Sequence, residues 1–143
     1  MANYEATRTD SNGDDVAKLI LRLTLGGLIL FHGVSKLTGG IGFVAGALGK
    51  AGMPSALAYL VYIGEVIAPL FLLAGVWSRG AALVIAVNMI VAVLLVDTGQ
   101  LYSISNSGGY ALELQAMYLF TAIAIALMGA GRYSVGGARG RWN

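Results

Sequence analysis

Arg22, His32, Lys36, Glu65, Asn88, Asp97, Glu113 and Gln115 lie within or at the ends of long apolar stretches, and they carry most of the chemistry available to this chain. A charged side chain at the centre of hydrocarbon costs at least about 2.5–3.5 kcal/mol, so such residues pair with one another or line a cavity. Two carboxylates, an ammonium and an imidazole in one apolar pocket can hold polar groups by hydrogen bonds and exchange protons with them. The rest of the inventory restricts the chemistry. With no Cys, thiol exchange, thiolate metal sites and c-type haem attachment are excluded. His32 is the one histidine, so multi-histidine metal or haem ligation from this chain alone is excluded, and no metal site is expected.

The setting of these residues follows from composition. Of 143 residues, 9 are Lys or Arg and 7 are Asp or Glu; 57% are apolar, and 21 are Gly. Mean hydropathy is +0.77. A disordered chain needs the opposite balance, and a soluble globule of this length has too little interior to hide so much apolar surface. The expected class is an all-α polytopic membrane protein. A span needs about 20 mostly apolar residues, and four stretches qualify, near 16–37, 56–76, 80–96 and 110–128. They predict an antiparallel bundle of four transmembrane helices occupying 16–129.

The flanking segments complete the organisation. Residues 1–15 read as a polar tail, with Asp14 or Asp15 as N-cap of the first helix. The acidic start is unlike the basic region of a secretory signal, so the first helix is expected to be retained. After it, Ile41, Val44 or Ala45, and Leu48 recur at helical spacing among glycines and end at Gly52-Met53-Pro54. This pattern predicts a short interfacial or re-entrant helix. Trp77-Ser78-Arg79 is a tight link, which makes the second and third helices a hairpin. Residues 130–143 form a Gly/Arg-rich tail expected to leave the bilayer. Arg8, Lys18, Arg79, Arg132, Arg139 and Arg141 fall on one side, against Lys36 and Lys50 on the other. Both termini are therefore expected in the cytoplasm. The pI near 9.0 reports this topology, with no nucleic-acid partner.

Helical geometry brings the polar residues together. At 100° per residue, Arg22, Gly26, Ile29, Gly33 and Lys36 share one stripe of the first helix, with His32 one turn from Lys36. Gly26, Gly27 and Gly33 would let a neighbouring helix approach closely. Under the expected topology His32, Lys36, Asp97 and Glu113 lie in the outer half of the membrane, with Glu65 below them at mid-depth. Pro69 cannot donate to the carbonyl of Glu65, which predicts a kink at the buried acid and a free carbonyl there. Plainer roles stand beside these. Glu65 with Lys36 or Arg22 can be a structural ion pair, Arg22 can snorkel, His32 can make an interhelical contact, Asn88 can join helices, and Asp97 can be a helix-end residue.

Phe31-His32-Gly33-Val34-Ser35-Lys36-Leu37, followed by Gly52-Met53-Pro54, Glu65, Gly75-Val76-Trp77-Ser78-Arg79 and Gly129-Ala130-Gly131-Arg132-Tyr133-Ser134, resembles the DoxX family of small membrane proteins. The likeness runs over roughly residues 18–135. It implies a four-helix membrane bundle with a short interfacial element after the first helix, in bacterial and archaeal membranes. It also implies an association with quinol oxidase and other oxidoreductase complexes. Lys36, Glu65 and Arg79 match characteristic positions, and His32 accompanies them. The chain departs from the family pattern at Ala130, where a proline is common, and at Gly136, where an acid is common.

The reading that follows is an inner-membrane accessory subunit that interacts with quinone or lipid in a membrane redox system. His32, Lys36, Glu65 and Glu113 form its ligand site, and Arg79 lies at the membrane interface. No catalytic residue and no intrinsic cofactor is assigned, so whether it is an enzyme stays open and electrons must come from an oxidoreductase partner. Two other readings remain at this point: a non-catalytic scaffold that holds a partner, and a small-solute or metal transporter working as a homo-oligomer.

Overall fold

The computed structural model describes residues 2–137 and 140–143, and of residues 2–11 and Asp97 the backbone only. Arg139 and the side chains of Arg8 and Asp97, all considered above, therefore lie outside the described residues. The fold is all-α. Helix α1 runs Ala2–Gly39 and the short α2 runs Gly42–Lys50. Segment α3, Ser55–Ala74, is composite: 3-10 turns over Ser55–Leu60, a π-helical stretch over Ile63–Ile67, then α-helix over Ala68–Ala74. Helix α4 covers Ser78–Val96 with its last turn π-helical, and α5 covers Glu113–Met128. Among the described residues no strand forms, only an isolated pairing of Ile104 with Tyr110 in the α4–α5 loop.

Three of these helices, Asn12–Gly39, Ser55–Ala74 and Ser78–Val96, are long and apolar enough to cross a membrane. The fourth expected span is shorter: α5 begins at Glu113 rather than near 110, because Tyr110 is held in the loop, where its hydroxyl donates to Leu101 O at 2.9 Å. At 1.5 Å per residue α5 is about 24 Å long, short of the roughly 30 Å hydrocarbon core.

The long helices share one core. Helix α1 packs on α3 and α5, and α4 packs on α3 and α5. Leu25 and Ile29, Ala68 and Leu72, Ala82 and Ile85, and Ala122 and Ile125 meet in the middle, all buried. Their neighbours facing outward are apolar as well, with Phe31, Val87, Phe120 and Leu127 exposed. Apolar residues inside and out is the pattern of a helix bundle that has lipid rather than water around it.

The stripe of α1 seen in the sequence faces α3. A Cβ on Gly26 would lie 2.9 Å from Leu73 Cγ, and one on Gly33 would lie 2.7 Å from the Glu65 carbonyl carbon and overlap its oxygen. The two backbones touch there, so only glycine fits. Gly27 is different: nothing lies within 4 Å of its Cβ position, so it does not serve a close approach.

Two expectations about the ends change. Residues 2–15 continue α1 rather than forming a tail, so Asp14 and Asp15 are not N-caps. Asp15 is buried instead, and it accepts from Arg132 N at 3.0 Å and pairs with Arg132 Nε at 3.1 Å. The C-terminal segment folds back over the same end of the bundle, where Val135 N donates to Ala74 O and Gly136 N to Gly75 O, both at 3.1 Å. The driving need is backbone satisfaction, because the last carbonyls of α3 and α5 have no partner within their own helices.

Candidate functional site

Near the opposite end, α1 supplies Lys36, α3 supplies Glu65 and α4 supplies Asn88. Lys36 Nζ forms an ion pair with Glu65 Oε2, and Asn88 Nδ2 donates to Glu65 Oε1 at 3.3 Å. The Glu65 side chain is 7% exposed and that of Lys36 26%, so the pair sits at the edge between protein interior and an open space. Of the two partners open to Glu65 in the sequence, geometry selects Lys36. Arg22 lies 14 residues, or about 21 Å, further down the same helix.

Local backbone chemistry places the carboxylate. Pro69 has no N–H for the carbonyl of Glu65. The chain answers with the π-helical stretch Ile63–Ile67, in which Ala68 N–H reaches back five residues to Ile63 O. The expected kink is thus taken up as a widened turn with Glu65 in its middle, and the Glu65 carbonyl packs against Gly33. Such insertions recur at functional sites. Across the bundle, a Cβ on Gly64 would lie 2.6 Å from Asn88 Cγ, so Gly64 makes room for the amide beside the carboxylate. Tyr62 completes the frame by donating to Lys36 O at 3.2 Å near the end of α1.

These groups lie at the edge of a cavity of about 530 Å³ between α1, α3, α4 and α5, with α2 across the end near Lys36. Its lining is chiefly aliphatic. The polar members are His32, Lys36, Glu65, Asn88, Gln115 and Tyr118. His32 and Tyr118 meet edge to face, with ring centroids 6.1 Å apart and planes at 78°. The size and the few convergent polar groups suit a small-molecule site. An apolar body can lie along the aliphatic wall while a polar head takes hydrogen bonds from Asn88 and gives them to Glu65. Among the described residues no three His, Asp or Glu side chains gather into a metal-binding group.

Three of the four residues expected at the ligand site are on the cavity, namely His32, Lys36 and Glu65. Glu113 is not among its lining residues: it is exposed at the start of α5, with its carboxylate beside Gly109. The wheel of α5 explains this, because Glu113 is 160° from Gln115, whereas Tyr118 is within 60° of Gln115. Tyr118 and Tyr62 were not singled out in the sequence, although the first of them was marked by its spacing from Gln115.

The arginines Arg22 and Arg79 do other work. Arg22 is 1% exposed and does not snorkel; Nε donates to Leu72 O at 3.2 Å, Nη1 to Ala130 O at 2.7 Å and Nη2 to Tyr133 O at 3.1 Å. Arg79 Nη1 donates to Ala126 O at 3.1 Å and Leu127 O at 2.9 Å. Each guanidinium thus satisfies carbonyls near the C-terminal end of a helix, where the helix dipole also favours a cation. Arg79 therefore caps α5 from the first turn of α4.

A family model described as DoxX matches residues 17–98, which include Arg22, Lys36, Glu65, Arg79 and Asn88. No curated protein and no solved structure matches the chain.

Proposed function

The chain belongs to the DoxX family, and from that footing we propose that it is a quinone-binding accessory subunit of a membrane redox system. The observation that carries the reading is the cavity of about 530 Å³, aliphatic for most of its wall and edged by Lys36, Glu65, Asn88 and His32. A quinone has the matching form, an apolar tail and a ring with polar oxygens at its margin. Asn88 and His32 donate hydrogen bonds to a ring oxygen. Glu65, paired with Lys36, accepts a hydrogen bond from a ring hydroxyl. With no Cys and a single His, the chain has few ligands for a redox centre, so electrons pass to and from a partner oxidoreductase.

In this reading α5 is the fourth span. It shares the core with the three longer helices, and the apolar Ala111-Leu112 and Gly129-Ala130 on its flanks extend it across the remaining hydrocarbon. The excess of basic residues at the Arg22 end supports an orientation with that end and both termini in the cytoplasm of an inner membrane. The cavity then lies in the outer half. Protein purified from its native membrane and extracted with organic solvent should carry quinone at near one per chain. A Glu65→Gln variant should carry several-fold less. Extracts of folded wild-type protein free of quinone would refute the reading.

A further inference from the structure

The cavity wall is incomplete on one side. α3 packs on α4 through its Ile63–Ile67 and Ala68–Ala74 stretches, whereas Ser55–Leu60 packs on α2. α2 in turn reaches the last turn of α4, Val93–Asp97. α2 therefore bridges α3 and α4 at the outer end, and between that bridge and the Gly64–Asn88 contact the two helices leave a slot. Its edges are Leu60 and Ile63 on α3 and Val87 and Val91 on α4, which line the cavity and are also exposed, Leu60 by 56% and Val87 by 59%. The opposite side is shut where α1 rests on the Glu65 backbone at Gly33. Towards the Arg22 end Leu25, Ile29, Leu72, Ile85 and Ile125 close the core with 0–2% exposure each. The slot opens at the depth of apolar side chains, so what it meets is lipid.

The charges inside carry a second constraint. Lys36 and Glu65 cancel, and the other polar groups on the wall, His32, Asn88, Gln115 and Tyr118, carry no permanent charge. A head group with net charge would add an uncompensated ion to a low-dielectric site, while a neutral one needs only hydrogen bonds. We propose that uncharged, long-tailed amphiphiles enter and leave this cavity sideways from the bilayer, between α3 and α4. The polar head reaches Glu65 and Asn88, and the tail rests between Leu60 and Ile63 on one side and Val87 and Val91 on the other. This rests on the quinone-binding reading and adds the route and the charge of the ligand.

The test uses the full chain in phospholipid nanodiscs, with a decyl-tailed benzoquinone as probe and oleate as a charged comparator. Val87→Trp and Leu60→Trp fill the slot from residues that face away from the core. Each should weaken decylquinone binding at least tenfold. The absence of native cysteine allows a second measurement that needs no bulky substitution. Labelling of a Leu60→Cys variant by a lipid-soluble maleimide should slow several-fold in the presence of the quinone, while a Phe31→Cys variant on the outer face of α1 should label at an unchanged rate. Oleate should compete at least tenfold more weakly than the quinone. Failure of the wild type to bind the quinone would overturn the quinone reading and this inference together. Binding that neither tryptophan variant weakens, with no protection of Leu60→Cys, would overturn the sideways route alone. Oleate competing as well as the quinone would overturn the neutral-head assignment.

Discussion

Glu65→Leu and Lys36→Met, made singly and together, test whether the buried pair is an interacting unit. In Glu65→Leu the Lys36 ammonium loses its carboxylate, and Asn88 Nδ2 loses an acceptor at 3.3 Å. Breaking a buried pair from one side costs about 3–5 kcal/mol. Lys36 is 26% exposed and can turn into the cavity, so the lower end, about 3 kcal/mol, applies. In Lys36→Met the carboxylate keeps its hydrogen bond from Asn88, which limits the loss to about 2 kcal/mol. The double variant leaves no unpaired charge, and its remaining cost is the Asn88 hydrogen bond, about 1 kcal/mol. The sum of the singles therefore exceeds the double by about 4 kcal/mol, far beyond the roughly 0.5 kcal/mol scatter of independent sites. Unfolding in mixed micelles with increasing SDS, followed by far-UV circular dichroism, gives all three values. Additivity of the two singles would refute the argument that the pair is coupled across α1 and α3.

Gly33→Ala should destabilise the bundle by about 3 kcal/mol, since its methyl would press on the Glu65 backbone. Gly27→Ala, with open space at its Cβ position, should be neutral or stabilising by up to about 1 kcal/mol; the same unfolding assay reads both. Arg22→Met removes the donors to Leu72, Ala130 and Tyr133, so the C-terminal segment should detach and trypsin should cut at Arg132 at least tenfold faster, with Arg22→Lys restoring only part of the protection. Glu113→Gln should leave quinone binding within twofold of wild type, because that side chain is exposed and does not line the cavity.

Some of this was legible in the residues alone. The apolar stretches, the glycine stripe of α1 and the positions of Lys36 and Glu65 on facing helices follow from composition and a 100° turn per residue. Pro69 announced a disturbed backbone at Glu65, and the π-helical stretch is the form it takes. Glu113 lies off the cavity because its angle around α5, rather than its closeness to the helix end, decides which way it faces. Asp15 went wrong because a short polar side chain before an apolar run reads as a cap. That reading holds only if the helix starts there, and α1 starts at Ala2.

The sequence by itself determined the apolar surroundings of this protein, since those depend on transfer energies. Only the tertiary structure decided which charges meet. Lys36 and Arg22 lie on one stripe of one helix, and nothing local distinguishes them as partners for Glu65. The distinction arises from the register in which α3 lies against α1, fixed by contact of the Gly33 and Glu65 backbones. The same register carries Leu72 to Arg22 and lets α3 diverge from α4 above Gly64, opening the cavity on that side. Register is set by packing between segments distant in the chain, so no reading of a single helix contains it.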